Sequence, residues 1–132
     1  MALALALLVA GLAPACSDGD AEWCDRLRRE GSLTELSRAV TSADADAAAS
    51  AVEDFDDLAQ DAPREIRDDM VAVADALGRA VEVATASEDA GTPSEMERRR
   101  DLANQGLAGV TAHSNAVTAW AERECGIRLG PS

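Results

Sequence analysis

The stretch from Pro63 to Ser87 constrains the fold most. Ile66, Met70, Val73, Leu77, Val81 and Ala84 recur in steps of four, three, four, four and three, while Arg67, Asp68, Asp75, Arg79 and Glu82 take the opposite face. That is the period of a single apolar stripe on an α-helix. Pro63 suits the first helical position, where its missing N–H costs nothing. Asp75 and Arg79 stand one turn apart and can pair, worth only tenths of a kcal/mol. Gly78 either weakens the interior or admits a close neighbour. The rest of the chain carries the same period. Alanine, the best helix former, is abundant, aromatics are limited to Trp23, Phe55 and Trp120, and no stretch alternates at period two.

Before this helix, a short one is predicted over Ala21–Arg29, with Trp23, Cys24 and Leu27 on one side and Gly31 ending it. Ser32 and Glu35 then form a capping box, followed by Leu33, Leu36 and Val40 at helical spacing. Thr41-Ser42-Ala43-Asp44 interrupts. A helix from Asp44 to Gln60 follows, its inner stripe Ala48, Val52, Phe55 and Leu58 or Ala59, and Asp61-Ala62-Pro63 breaks it. Beyond the central helix, Thr92 and Glu95 make a second capping box with Pro93 at the first helical position. The last helix is predicted to run from Pro93 to Cys125, with Met96, Ala103, Leu107, Val110, Val117 and Trp120 or Ala121 inward. Gly126 stops it, and 129–132 fray. Gly106 and Gly109 sit mid-helix, where they kink it or admit a tightly packed partner. The expected fold is all-α: a small antiparallel bundle of about three main helices plus short N-terminal helices, over residues 21–128, with an alanine-rich core and short interhelical distances.

The N-terminus has a different character. Ala2 to Leu12 are almost wholly apolar, too few to cross a bilayer but right for the core of a signal peptide. Leu12-Ala13-Pro14-Ala15-Cys16 resembles a bacterial lipobox, the site where a precursor is acylated on cysteine and cut just before it. It departs from the usual pattern in Ala13, in Pro14 and in the lack of Lys or Arg after Met1. The expected organisation is a signal peptide over 1–15, a lipidated Cys16 with a polar tether to residue 20, and the helical domain. Cleavage would leave about 117 residues, one domain. The alternatives are ordinary cleavage after Ala15, giving a soluble secreted protein, and a non-exported N-terminal helix. With Cys16 acylated, Cys24 and Cys125 remain as an even pair that an oxidising compartment would join. The loop closed would be worth about 4.7 kcal/mol in the chain-entropy model. Trp23 and Trp120, next to these cysteines or near them in sequence, are expected to shield the bridge. The alternative is three free thiols in a cytosolic protein.

Formal charge is -13, and all twelve basic residues are arginine. That balance argues against nucleic acid, which needs a basic patch, and against a polybasic membrane contact. Arg98-Arg99-Arg100 is a small basic cluster flanked by Glu95, Glu97 and Asp101; local salt bridges are expected, with an anionic partner as the alternative. His113 is the single histidine, one turn from Val110 and Val117, and reads as a partly buried packing residue before it reads as a ligand or base. Zinc-binding, P-loop, nucleophile-elbow and EF-hand patterns are missing, so no catalytic residue, metal or cofactor is assigned.

Taken together, Leu12-Ala13-Pro14-Ala15-Cys16, Trp23-Cys24, Ala62-Pro63-Arg64-Glu65-Ile66 opening a long helix, and the aromatic Trp120 before Cys125-Gly126 make the chain similar to the small, uncharacterised secreted lipoproteins of actinobacterial type. The resemblance implies a lipid-anchored extracytoplasmic domain and carries no activity, cofactor or catalytic residue. The expected function is a non-enzymatic interaction or accessory module of the cell envelope, held to the membrane by its N-terminal lipid and meeting an envelope protein. The alternative is a module for a small ligand or cation, facing a notch formed by Gly106, Gly109 and His113.

Overall fold

The computed structural model describes residues 18–31, 33–86 and 91–129. Among them every regular element is helical: α1 (Asp18–Glu30), α2 (Thr34–Thr41), α3 (Ala45–Gln60), α4 (Arg67–Thr85), α5 (Pro93–Gly109), α6 (Thr111–Trp120) and a π-helical turn (Ala121–Cys125). They form a small all-helical bundle. None of the described helices is long and apolar enough to cross a membrane.

The centre is α4, which packs against α2, α3, α5 and α6. Enclosure on several sides explains why its buried residues are not the single stripe expected. Ile66, Met70 and Val81 are buried, but so are Ala74 and Ala76, while Val73 and Leu77 are half-buried and Ala84 is exposed. Alanine is the commonest buried residue, at Ala39, Ala48, Ala59, Ala62, Ala74, Ala76, Ala103 and Ala121. The inner stripe of α3 is largely as expected, with Ala48, Phe55 and both Leu58 and Ala59 buried, while Val52 is half-buried.

Two apolar clusters result. The larger joins Trp23 and Leu27 of α1, Phe55 and Leu58 of α3, Ile66, Met70 and Ala74 around α4, and Val117, Trp120 and Ala121. The smaller joins Leu36 and Ala39 of α2, Ala48 of α3 and Val81 of α4. Leu33 and Leu77 pack against both.

The corner between α2 and α3 shows how local chemistry sets an element's end. Ala43 N–H donates to the Val40 carbonyl at 3.2 Å and Asp44 N–H to the Ala39 carbonyl at 2.9 Å. These are the two hydrogen bonds of a Schellman motif, with Ala43 at the left-handed position, φ 56°. Asp44 also caps α3, its side chain accepting from Ala47 N–H at 3.0 Å.

Several boundaries differ from expectation. The first helix begins at Asp18, so three of the four residues of the expected tether, 18–20, are helical; Asp20 is an acidic residue in the first turn, where the helix dipole favours it. The capping box at Ser32 falls on a residue outside those described. The cap of α2 is Leu33, in the left-handed region at φ 51° without a side-chain cap hydrogen bond, and Glu35 binds Arg38 instead. Pro63 is not the first residue of α4. Residues 63–66 turn, with Ile66 N–H donating to the Pro63 carbonyl at 3.0 Å, and Arg67 steadies the turn by donating from Nε and Nη2 to the Ala62 carbonyl at 3.1 and 2.9 Å. The last helix is not continuous. It breaks at Val110, directly after Gly109, and its final turn widens to π geometry before Gly126 stops it at φ 64°. Leu129 does not fray but packs against the larger cluster near Gly31. The Asp75–Arg79 pair does not form, and the Arg79 guanidinium lies over Gly106 instead.

A left-handed backbone costs an L-residue with a Cβ roughly 1–2 kcal/mol, and glycine escapes it. Ala43 is exposed, so nothing offsets that cost. Ala43→Gly is therefore expected to raise stability by about 1 kcal/mol in urea unfolding, against the usual penalty of Ala→Gly. An unchanged or lowered stability would show that Ala43 does not hold this conformation.

Candidate functional site

The two ends of the described chain meet. Cys24 and Cys125 are disulfide-bonded across 101 residues with their Cα atoms 5.5 Å apart. Trp23 and Trp120 lie edge to face at 5.5 Å between ring centroids, both buried in the cluster that holds Cys24, so the expected shielding of the bridge is present. The Trp23 indole N–H also donates to the Leu58 carbonyl at 2.9 Å. That carbonyl is among the last four of α3, which have no helical donor of their own. Arg26 adds a hydrogen bond to Asp61 at 2.7 Å, just past the same helix end, and this contact, with smaller help from Glu30 and Asp57, holds the guanidinium's proton more tightly than usual. This end of the molecule is a staple.

The three residues expected to face a ligand are not brought around a common cavity. His113 is exposed, its Nδ1 2.7 Å from Asp69 Oδ1 on α4, so it sits on the rim between α4 and α6 and not partly buried within the stripe. A Cβ at Gly106 would lie 3.8 Å from Nε and Nη2 of Arg79, ordinary van der Waals contact with the guanidinium. Gly109 has open space where its side chain would be. The notch is thus divided between an arginine and solvent. Among the described residues, no three His, Cys, Asp or Glu side chains converge as a metal site. Cys16, expected to be lipidated, and residues 1–15, expected to be a signal peptide, lie outside the described residues.

The feature that sequence reasoning missed is the seam between α4 and α5. Of the seventeen residues of α5, only Ala103 is buried, and it belongs to neither apolar cluster. Leu102 is 58% exposed and Leu107 42%, although Leu107 was expected to face inward. Open grooves run on both sides of Ala103. One, of about 780 Å³, includes Val83, Met96, Arg100 and Leu107, with Glu97 beside Arg100. The other, of about 440 Å³, includes Val83, Leu102 and Ala103 between Arg79 and Arg99, with Glu82 as its one acidic group.

The arginines along this seam stand without direct carboxylate partners. Arg26, Arg28, Arg38, Arg123 and Arg128 each have a carboxylate partner. Among the described residues Arg79, Arg98, Arg99 and Arg100 form no ion pair, contrary to the local neutralisation expected for the Arg98–Arg100 cluster. Glu95 is the reason for part of this. Its Oε2 accepts from Thr92 N–H at 2.8 Å and from the Thr92 hydroxyl at 3.0 Å, closing the capping box, so it makes no direct ion pair with the arginines although it feels the charges of Arg98 and Arg99. A signal was available: a glutamate assigned to a cap is not free to pair directly with its neighbours.

No protein-family model, curated protein or solved structure matches the chain.

The capping hydrogen bonds from Thr92, first its backbone and then its hydroxyl, hold the Glu95 carboxyl below its ordinary value of 4.5, helped by the charges of Arg98 and Arg99. A depressed folded-state value means that the cap's stabilisation is fully present above the unfolded value and is lost as pH falls through the folded one. NMR titration of the Glu95 side chain is expected to give a midpoint below 4.5, and Thr92→Val to move it upward. An ordinary midpoint in the unaltered protein would remove the cap from the account.

Proposed function

We propose that the protein is a lipid-anchored, extracytoplasmic helical module of the bacterial cell envelope that works by interaction and not by catalysis. The observation that carries this reading is the Cys24–Cys125 disulfide. Such bonds form and persist in oxidising compartments and are rare in the cytosol. With those two sulfurs joined, Cys16 is the cysteine left over, and it stands where the lipobox-like stretch ends. Only Ser17 separates it from α1, so an acyl chain there would hold the folded domain close to the bilayer.

The distinguishing features of the domain's surface support interaction. They are two grooves beside a lightly buried helix and, along the same seam, four guanidiniums that form no ion pair among the described residues. In the same reading α3, α4 and the α5–α6 unit run antiparallel. The short connection from Gln60 to Arg67 and the packing of each element on α4 support that arrangement.

The test is metabolic labelling with a fatty-acid probe in a bacterial host. The full chain is expected to take up label in the membrane fraction, to accumulate as precursor with globomycin, and to lose all label as Cys16→Ser. Label that persists in Cys16→Ser would remove the anchor. Release of unlabelled protein into the medium would favour the plain secreted form.

A further inference from the structure

We propose that the groove between Arg79 and Arg99 is a docking site for an acidic amphipathic helix of a partner protein. Val83, Leu102 and Ala103 supply an apolar lining, and the two guanidiniums flank it from different helices, Arg79 from α4 and Arg99 from α5. Glu82 offsets only one of those charges. That leaves a local positive charge at this seam on a chain whose formal net charge is -13. Distant carboxylates are screened beyond about 8 Å at physiological salt, so an approaching group responds to the guanidiniums nearest it.

The shape selects a helix. The groove follows the seam of two helices, and a third helix fits such a seam by laying its ridge of side chains into it. Apolar side chains spaced three and four apart would cover Val83 and the exposed Leu102. Flanking carboxylates would reach Arg79 and Arg99, whose planar guanidiniums suit two-point contact with a carboxylate. The groove is open, so it is unlike the enclosed pockets that bury a small ligand. A flat anionic bilayer fits it less well, because a planar surface cannot lay a ridge of side chains into the seam of two helices. A second copy docked symmetrically on this face would bring uncompensated arginines together.

Packing points the same way. A helix that buries one residue of seventeen gains little from the bundle, and a neighbour along Leu102 would cover what the fold leaves open. The inference deepens the interaction reading and rests on it, but it is independent of the acyl anchor. A chain labelled at Cys16 that ignores the peptide below loses only the docking site; an unlabelled chain that binds the peptide loses only the anchor.

The experiment titrates the full oxidised chain, methyl-labelled at Leu and Val, with two synthetic helical peptides of about four turns. Both carry leucines at three-and-four spacing; one has glutamates on its flanks and the other lysines. The acidic peptide is expected to shift the Leu102 and Val83 methyl signals saturably, with affinity at least tenfold above the lysine peptide. Arg79→Gln combined with Arg99→Gln should weaken it at least tenfold, while Arg29→Gln, with circular dichroism confirming folding of each variant, should not change it. No shift with the acidic peptide, or equal binding of both peptides, would overturn the proposal. So would shifts of these methyls produced by phosphatidylglycerol vesicles but not by peptide, or by raising protein concentration alone.

Discussion

Everything in the bundle is arranged around the place where its two ends are tied. Cys24 is in α1 and Cys125 ends the terminal π turn, and their bond brings Trp23 against Trp120. Either tryptophan alone would be a large apolar side chain on a short terminal element. Together they fill the space beside Phe55, Leu58 and Met70, and burying side chains of that size is worth about 1.5–3 kcal/mol each. The indole of Trp23 then completes the C-terminus of α3, and Arg26 and Arg67 bring positive charge and hydrogen bonds to the same turn, where the helix dipole is negative. One sulfur–sulfur bond thus orders the first helix, the last turn and the α3–α4 corner together.

Moving away from the staple, the packing becomes lighter. The smaller cluster of Leu36, Ala39, Ala48 and Val81 still holds α2 and α3 against α4. The α5 helix has no comparable anchorage. It is held by Ala103, by its connections, and by a well-made N-terminal cap at Thr92. Stability in such a molecule is graded, and the surfaces that engage partners tend to come from its lightly packed end. The groove beside Arg79 and Arg99 lies along the seam of α4 with this lightly packed helix.

Much of the local structure was readable from residues. Thr92 with Glu95, Gly31, Gly126 and the interruption at 41–44 each mark an end by short-range chemistry, and each is an end in the structure. The Trp and Cys pairs were readable for a different reason: a reactive pair needs a mate, and large aromatics need cover. What could not be read was tertiary. Pro63 is compatible with a helix start, but Arg67 reaching back to Ala62 creates a turn there. The amphipathic period marks Leu107 as apolar and inward; it does not say whether the bundle has a neighbour to place over it. Arg98–Arg100 looked self-neutralising because Glu95, already assigned to the Thr92 cap, was counted again as a salt-bridge partner, and nearness in sequence does not bring Glu97 or Asp101 into an ion pair. The Gly106, Gly109 and His113 notch failed for the same kind of reason, since Arg79 and Asp69 come from another helix.

The most direct test of this account is equilibrium urea unfolding of the full chain with the Cys24–Cys125 bond intact and after its reduction, followed by tryptophan fluorescence. Because the bond closes nearly the whole domain and orders the tryptophan cluster, reduction is expected to cost about 2–5 kcal/mol, with the fluorescence change of Trp23 and Trp120 coming at lower urea. Coincident unfolding curves for the oxidised and reduced protein would contradict it, leaving the bundle held by something other than the joining of its ends.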